Sequence, residues 1–292
     1  MPKKLETETK QRTPRVPRKK KEVFSDLPGI HERLEEEQFM LTPEDEERAR
    51  RPMVLIVDAM LATEGVRIAT QVRKSHLEKN GRSDPDTDEL LRYVGALERF
   101  LDDKVENYVL NHPAYPWFSR IKGIGRENIA KVTGLIDIQE DDTVSSLWAF
   151  AGYSVKNGKA PRRVRGTKLP YNALLRTMCW RVGGSLMKAK GKYYDYYLEK
   201  KLRYTNRFLN EGFTIVPSSE LPTDKDGKMY EPPGIVSEGH IHNMALRKMI
   251  KLFLSHLWVV WREAEGLSTR SPYVEEHLKH THITSPQEML DR

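Results

Sequence analysis

Residues 118–132 carry a pattern that could hold a phosphate: Ile121, Lys122, Gly123, Ile124 and Gly125, then Arg126, Ile129, Ala130, Lys131 and Val132. Gly123 and Gly125 permit a tight turn and a close backbone approach. Ile124 between them is placed to plug the gap between two flanking helices. Ala130, five residues past Gly125, is small enough to let those helices pack closely. The free amides opening the second helix then point outward and, with the positive end of its dipole, bind a phosphate. Lys122, Arg126 and Lys131 surround that point and add charge-assisted contacts. The plain alternative is a glycine-containing helix turn, and a bare Gly-x-Gly does not exclude it. The ordered hydrophobic, glycine and alanine positions are more selective. Such contacts position a duplex without reading its sequence.

Charge is distributed unevenly. The net charge is +7, but residues 156–207 hold fifteen Lys and Arg against only Asp195 and Glu199. A solvated face with balanced charges would not look like this, so the segment reads as an electrostatic footprint for a polyanion. Lys156, Lys159, Arg162, Arg163, Arg165, Lys168 and Arg176 are its candidate DNA contacts. Tyr193, Tyr194, Tyr196, Tyr197 and Tyr204 interleave with further lysines and arginines. Tyr193, Tyr197, Tyr204 and Phe208 fall on one helical stripe and read as core, leaving nucleic acid to the Lys/Arg face.

Two other clusters are weaker. His277, His280 and His282, with His240 and His242, lack carboxylate or cysteine partners at ligand spacing. Asp224, Asp226 and Gly227 suggest a calcium loop, but placing Gly227 at its sixth position puts Pro233 where the bidentate glutamate belongs. No metal site is expected.

The elements that would position these residues are helical. Residues 1–26 are a basic, proline-bearing arm with almost nothing to bury, expected to be disordered. Residues 27–52 form an acidic connector. Residues 53–111 read as two amphipathic helices, with Val57, Leu61, Ile68 and Val72 on the first. The second carries Leu90, Tyr93, Val94, Leu97, Leu101, Val105 and Tyr108. Asn80, Gly81 and Pro85 break between them, and Asp86 and Glu89 are placed to cap the second. The pair is an antiparallel helical hairpin, or coiled coil, whose stripes need a partner surface. Residues 112–210 hold the glycine turn with short helices, a small hairpin expected over 152–170, and a largely helical 172–210. Residues 211–239 are a loop insertion, and 240–292 are C-terminal helices. The fold class expected is therefore mostly α: a long antiparallel helical hairpin, then a helix-hairpin-helix domain with a loop-rich insertion.

Apolar residues make up 38% of the chain and charged residues 31%, a globular balance with a polar surface. No apolar run approaches the length of a membrane span. The single cysteine, Cys179, excludes an intramolecular disulfide and fits a reducing compartment. These features lead to the expectation of a cytoplasmic, nucleoid-associated protein.

An ordered series of residues also carries a family resemblance. Ile121 to Gly125 is followed by Leu135, Ile136, Asp137 and Ile138, then by Leu147, Trp148, Gly152 and Tyr153. Gly158 and Lys159, then Gly166 and Lys168, then Asn172 and Arg176 complete it. Residues 118–200 resemble the carboxy-terminal domain of the DEDD-type, bridge-RNA-guided insertion-sequence transposases, the IS-one-ten family. The helical hairpin resembles the coiled coil through which those transposases associate. The resemblance implies a DNA-binding protein of transposase type, a homo-oligomer through the hairpin, with DNA and structured RNA as partners. Two departures matter. The family's metal-binding nuclease half has no counterpart here, and Asp58 reads as a helix residue, not a ligand. Magnesium would be needed only with a nuclease partner or a hidden carboxylate site. The family's catalytic serine aligns with Asn157, and Ser154 is the nearest hydroxyl. Lys156, Lys159 and Arg162 could stabilise its alkoxide, although an ordinary loop serine fits better. An active serine transposase and an RNA-binding scaffold are the alternative functions.

Overall fold

A computed structural model describes residues 52–155, 160–269 and 284–291. The basic arm, most of the acidic connector, Lys156, Lys159, His277, His280 and His282 lie outside the described residues.

Two long helices lie where the apolar periodicity placed them, as α1 (Pro52–Lys79) and α2 (Pro85–Leu110). Pro85 opens α2 after its N-cap Asp84, two residues before the Asp86 cap expected with Glu89. Asp84 accepts from the Thr87 hydroxyl at 2.6 Å and from Arg73 at 2.9 Å, and Lys74 meets Asp88 at 2.6 Å. These ties close the turn.

The expected stripes divide on inspection of burial. Near the open end, Val57 and Met60 of α1 and Leu101, Val105 and Val109 of α2 are buried. Toward the turn the interface is polar, with Thr70 and Thr87 buried and Arg67 bonded to Glu98 at 2.7 Å. Val66, Ile68 and Val72 of α1 are instead exposed, as are Leu90, Tyr93, Leu97 and Phe100 of α2. The distal half of the hairpin thus turns several polar residues inward beside the buried Val94, and most of its apolar ones outward. Ile68 and Val72 do not belong to the inner stripe assigned from spacing alone.

After a short α3 (Tyr115–Phe118), the glycine turn leads into α4 (Arg126–Thr133). The small α5 (Val144–Phe150) starts with a reciprocal cap between Thr143 and Ser146. Residues 137–142 then lie close against the core. The indole of Trp258 donates to the Asp141 carbonyl at 2.6 Å, and buried Arg262 donates to the Ile138 and Asp141 carbonyls.

The expected 152–170 hairpin does not form among the described residues. Tyr153 and Ser154 donate to the Trp148 carbonyl, and Asn172 donates to Phe150. The segment therefore returns to the end of α5 instead of pairing with itself. Helices α6 (Ala173–Ala189) and α7 (Lys192–Asn210) follow, separated by Lys190 in a left-handed conformation.

The insertion contains two short strands, β1 (Thr214–Val216) and β2 (Ile235–Ser237), paired in parallel. Strand β2 runs directly into α8 (Glu238–Ala264), which packs against α5, α6 and α7. Its Met249, Phe253, Leu254, Leu257 and Trp258 are almost wholly buried. Tyr193 and Tyr197 of α7 are buried, as their spacing suggested. After α8, the described residues hold a 3-10 turn, Gln287–Met289, where a short helix was expected from Ser285. The molecule is mostly α, with these two strands as the exception.

Candidate nucleic-acid interface

The two glycines of the turn do different work. Gly123 has φ +90°, and a Cβ there would lie 2.7 Å from Ala189 Cβ and 2.8 Å from the Ser185 carbonyl oxygen. Only glycine fits where the turn touches α6. Gly125 is the extended N-cap of α4, with φ −86° and open space where a side chain would project. Ile124 packs against the core and Ala130 is fully buried, the plug and the small contact expected of them. Gly125 supplies no side-chain cap to α4, so the first amides of that helix remain available.

The charges around this turn are largely engaged. Lys131 does not reach the surface: its side chain is 1% exposed and paired with Glu64 at 3.2 Å and with Glu127. It therefore drops out of the phosphate site. A lysine one turn into a short amphipathic helix was placed on the wrong face by counting charges alone. Arg126 is ion-paired with Glu106 of α2. Lys122 keeps an exposed side chain, but its backbone N–H donates to the Asp291 carboxylate at 2.8 Å. The same carboxylate accepts from the Lys192 N–H at 2.8 Å, and the Asp291 N–H donates to Arg120. Gly191 leaves room for this, since a Cβ there would fall 2.6 Å from the carboxylate oxygen. Asp291 thus ties the chain's end to the turn. Nothing in the sequence marks this role, because its partners are backbone groups about 100 and 170 residues away in the chain.

Beside α1 and α4 lies an open cleft of about 290 Å³, lined by Glu64, Glu98, Asp102 and Glu127 with Arg67. Glu64 is held below the usual carboxylate range, first by its bond to Arg181 and also by Lys131. Burial and the neighbouring Glu127 and Glu98 push Asp102 upward. Among the described residues, no group of three or more His, Cys, Asp or Glu side chains is arranged to hold a metal ion. Asp58 sits within α1, as a helix residue. His240 is bound to Glu231 at 2.6 Å and His242 to the Tyr197 hydroxyl at 2.7 Å. The Asp224 carboxylate accepts from the Asp226 and Lys228 amides within its own turn.

The basic loop is differently placed. Arg162, Arg163, Arg165 and Lys168 are all exposed, and among the described residues none has an ion-pair partner. Two arginines hold the chain on its N-terminal side. Arg176 of α6 donates to the Pro161 carbonyl at 3.2 Å, with its guanidinium 5.0 Å from the Tyr171 ring centre. Arg247 of α8 donates to the Ser154 carbonyl at 2.7 Å and lies 5.3 Å from the Tyr153 ring centre. Ser154 itself is half-buried, and its hydroxyl makes no hydrogen bond among the described residues. Arg247 was not among the sequence candidates, because it lies in a different helix, 93 residues beyond Ser154.

The loop and the turn occupy different sides of α6. Arg176 and the turn contact Ser185 are nine residues apart, which is about half a rotation and roughly 14 Å along a helix.

Comparison with protein-family models, curated proteins and solved structures finds no match for this chain.

Proposed function

We propose that this chain binds the phosphodiester backbone of DNA, as a DNA-binding protein of transposase type. The observation that carries the reading is the loop at 160–168, whose four exposed cations have no ion-pair partner among the described residues. Arg176 holds the start of the loop at Pro161, and Arg247 holds Ser154 ahead of it. Exposed cations left unneutralised suit a ligand that brings its own negative charge. The glycine turn is the secondary contact, through the first amides of α4 and the Lys122 side chain. Arg126 adds to it only when released from Glu106.

Glu64, Glu98 and Glu127 of the acidic cleft are tied to Arg67, Arg181 and Lys131, and burial beside them disfavours the charged form of Asp102. This favours binding without strand cleavage by this chain alone. The exposed apolar positions on the outer hairpin, Leu90, Tyr93, Leu97 and Phe100, follow a three-four-three spacing that suits a helical seam with a second copy.

The test is fluorescence anisotropy with a labelled duplex over a range of salt concentrations. Replacing Arg162, Arg163 and Arg165 together by alanine should weaken binding and lower the log–log salt slope by about 2 to 3. An unchanged slope in a folded triple variant rejects the assignment.

A further inference from the structure

Three helices bring a second group of cations together behind the loop. Helix α8 contributes Arg247, Lys248 and Lys251, spaced to share one side of the helix. Helix α7 contributes Lys200 and Arg203, and α6 contributes Arg176. The packing of α8 against α6 and α7 brings them together, and they repel one another. Arg247 is held below its usual range by burial and then by Arg176. Lys248 is lowered by desolvation, then by Lys200, Arg203 and Arg247. Lys251 is lowered to about 8 by burial, then by Lys248 and Arg247.

Carboxylates are the ordinary means of holding such a cluster together. Here they are nearly absent. The sequence has no Asp or Glu between Asp142 and Asp195, and none between Glu238 and Glu263. Among the described residues, the cluster's one ion pair is Lys200 with Glu199 at 2.7 Å. Aromatic faces take the place of carboxylates. The Lys251 ammonium lies 3.7 Å from the Trp148 ring centre, and the Trp148 indole donates to the Lys251 carbonyl. Lys200 lies 4.5 Å from the Tyr196 ring centre, Arg247 lies over Tyr153, and Arg176 lies over Tyr171.

This arrangement has a physical consequence. A ring face attracts a cation but leaves its net charge intact, whereas a carboxylate would cancel that charge. Half-buried cations that repel one another weaken the fold unless a polyanion relieves them. Each of these four rings has a cation over it, so contact here is with phosphate more than with stacked bases.

We infer that Arg247, Lys248 and Lys251, with Lys200 and Arg203, form a second backbone-phosphate site continuous with the basic loop, shaped for duplex DNA. The inference rests on the nucleic-acid reading of that loop and extends it to helices outside it. Binding at this site is independent of sequence and shares the loop's salt dependence.

The experiment compares two full-length variants with the parent protein, using a labelled 30-base-pair duplex and a single-stranded RNA of equal length. One variant is Arg203→Gln with Lys248→Gln and Lys251→Gln, which removes the charges while keeping an unbranched polar side chain against Trp148. The other carries alanine at Arg162, Arg163 and Arg165. Circular dichroism and thermal melting establish that each is folded. If the glutamine variant does not fold, Arg203→Gln with Lys248→Gln is measured in its place. The cluster variant should lose about tenfold or more in duplex affinity, with a salt slope lower by about 2 to 3. If the loop variant loses affinity and the cluster variant does not, the second site is wrong while the loop reading stands. If neither loses affinity, both readings fall. Tighter binding of the RNA than of the duplex, lost in the cluster variant, overturns the assignment to duplex DNA.

Discussion

Two buried histidines should make this fold acid-sensitive well above the usual carboxylate range. His112 and His256 are each 4% exposed, and burial lowers both to about 4 from an ordinary 6.5. Their hydrogen bonds require the neutral ring. The Nε2–H of His256 donates to the Thr284 carbonyl, so its Nδ1 accepts from the Tyr193 hydroxyl. Nδ1 of His112 accepts from the Ala114 N–H, and its Nε2 has no partner among the described residues. The ring lies 4.4 Å from that of Trp261. A folded pKa below the unfolded one means that the unfolded chain takes up protons first. Stability is therefore full above about 6.5, falls as pH drops through that value, and levels off below about 4. At pH 5 each histidine costs about 2 kcal/mol relative to pH 7.5. Asp141 opposes them. Burial raises it to about 6, so its protonation in the folded state returns about 1 kcal/mol over the same interval. His242, also lowered by burial, adds to the loss. The net loss is about 3 kcal/mol, a large part of the 5–15 kcal/mol typical of a domain. Urea unfolding followed by tryptophan fluorescence at the two pH values measures it. His112→Asn keeps an acceptor for Ala114 but cannot titrate, and should remove about two-thirds of the pH dependence. Equal stability of the parent at both pH values, or an undiminished dependence in His112→Asn, refutes the reasoning.

Three other outcomes are expected. Gly123→Ala should destabilise by about 2 kcal/mol or more, from its positive φ and its contact with Ser185. Gly125→Ala should cost under about 1 kcal/mol, so equal melting temperatures for the two variants would contradict the division of labour in the turn. Tyr93→Lys with Leu97→Lys should shift the protein toward monomer in sedimentation without unfolding it, and a parent already monomeric at tens of micromolar removes the proposed seam. The purified chain should neither nick nor covalently capture supercoiled DNA with magnesium present; adducts that vanish in Ser154→Ala would establish serine chemistry instead.

Local patterns were readable from the sequence, whereas pairings distant in the chain were not. The 3.6-residue spacing placed α1 and α2, because each must bury a stripe to persist as a helix, while 172–210 was legible only as one largely helical stretch that folds as α6 and α7. The same spacing did not say which apolar residues on the distal hairpin face inward. Thr70, Thr87 and the Arg67–Glu98 bond fill that interface, and the exclusion of Ile68 and Val72 follows from this tertiary pairing. The strands β1 and β2 were missed because three residues are too few for an alternation. The β-branched Thr214, Ile215 and Val216, with Ile235 and Val236, were their only signal.

The candidate site divides along the same line. Exposed loop cations could be named from sequence because nothing in a carboxylate-poor segment was available to neutralise them. Lys131 could not be judged so, since its partner Glu64 lies 67 residues earlier, in the hairpin. Arg247, Lys248 and Lys251 were overlooked for the converse reason. In a strongly apolar helix they read as its solvated edge, and only the packing of α8 against α6 and α7 sets them beside Arg176, Lys200 and Arg203. Repulsion among groups from separate segments is a property of topology. Its sequence trace is the pair of long carboxylate-free intervals, 143–194 and 239–262, which the fold brings face to face. Two basic segments that each lack acids, and that pack together without acquiring any, retain their charge for an external partner.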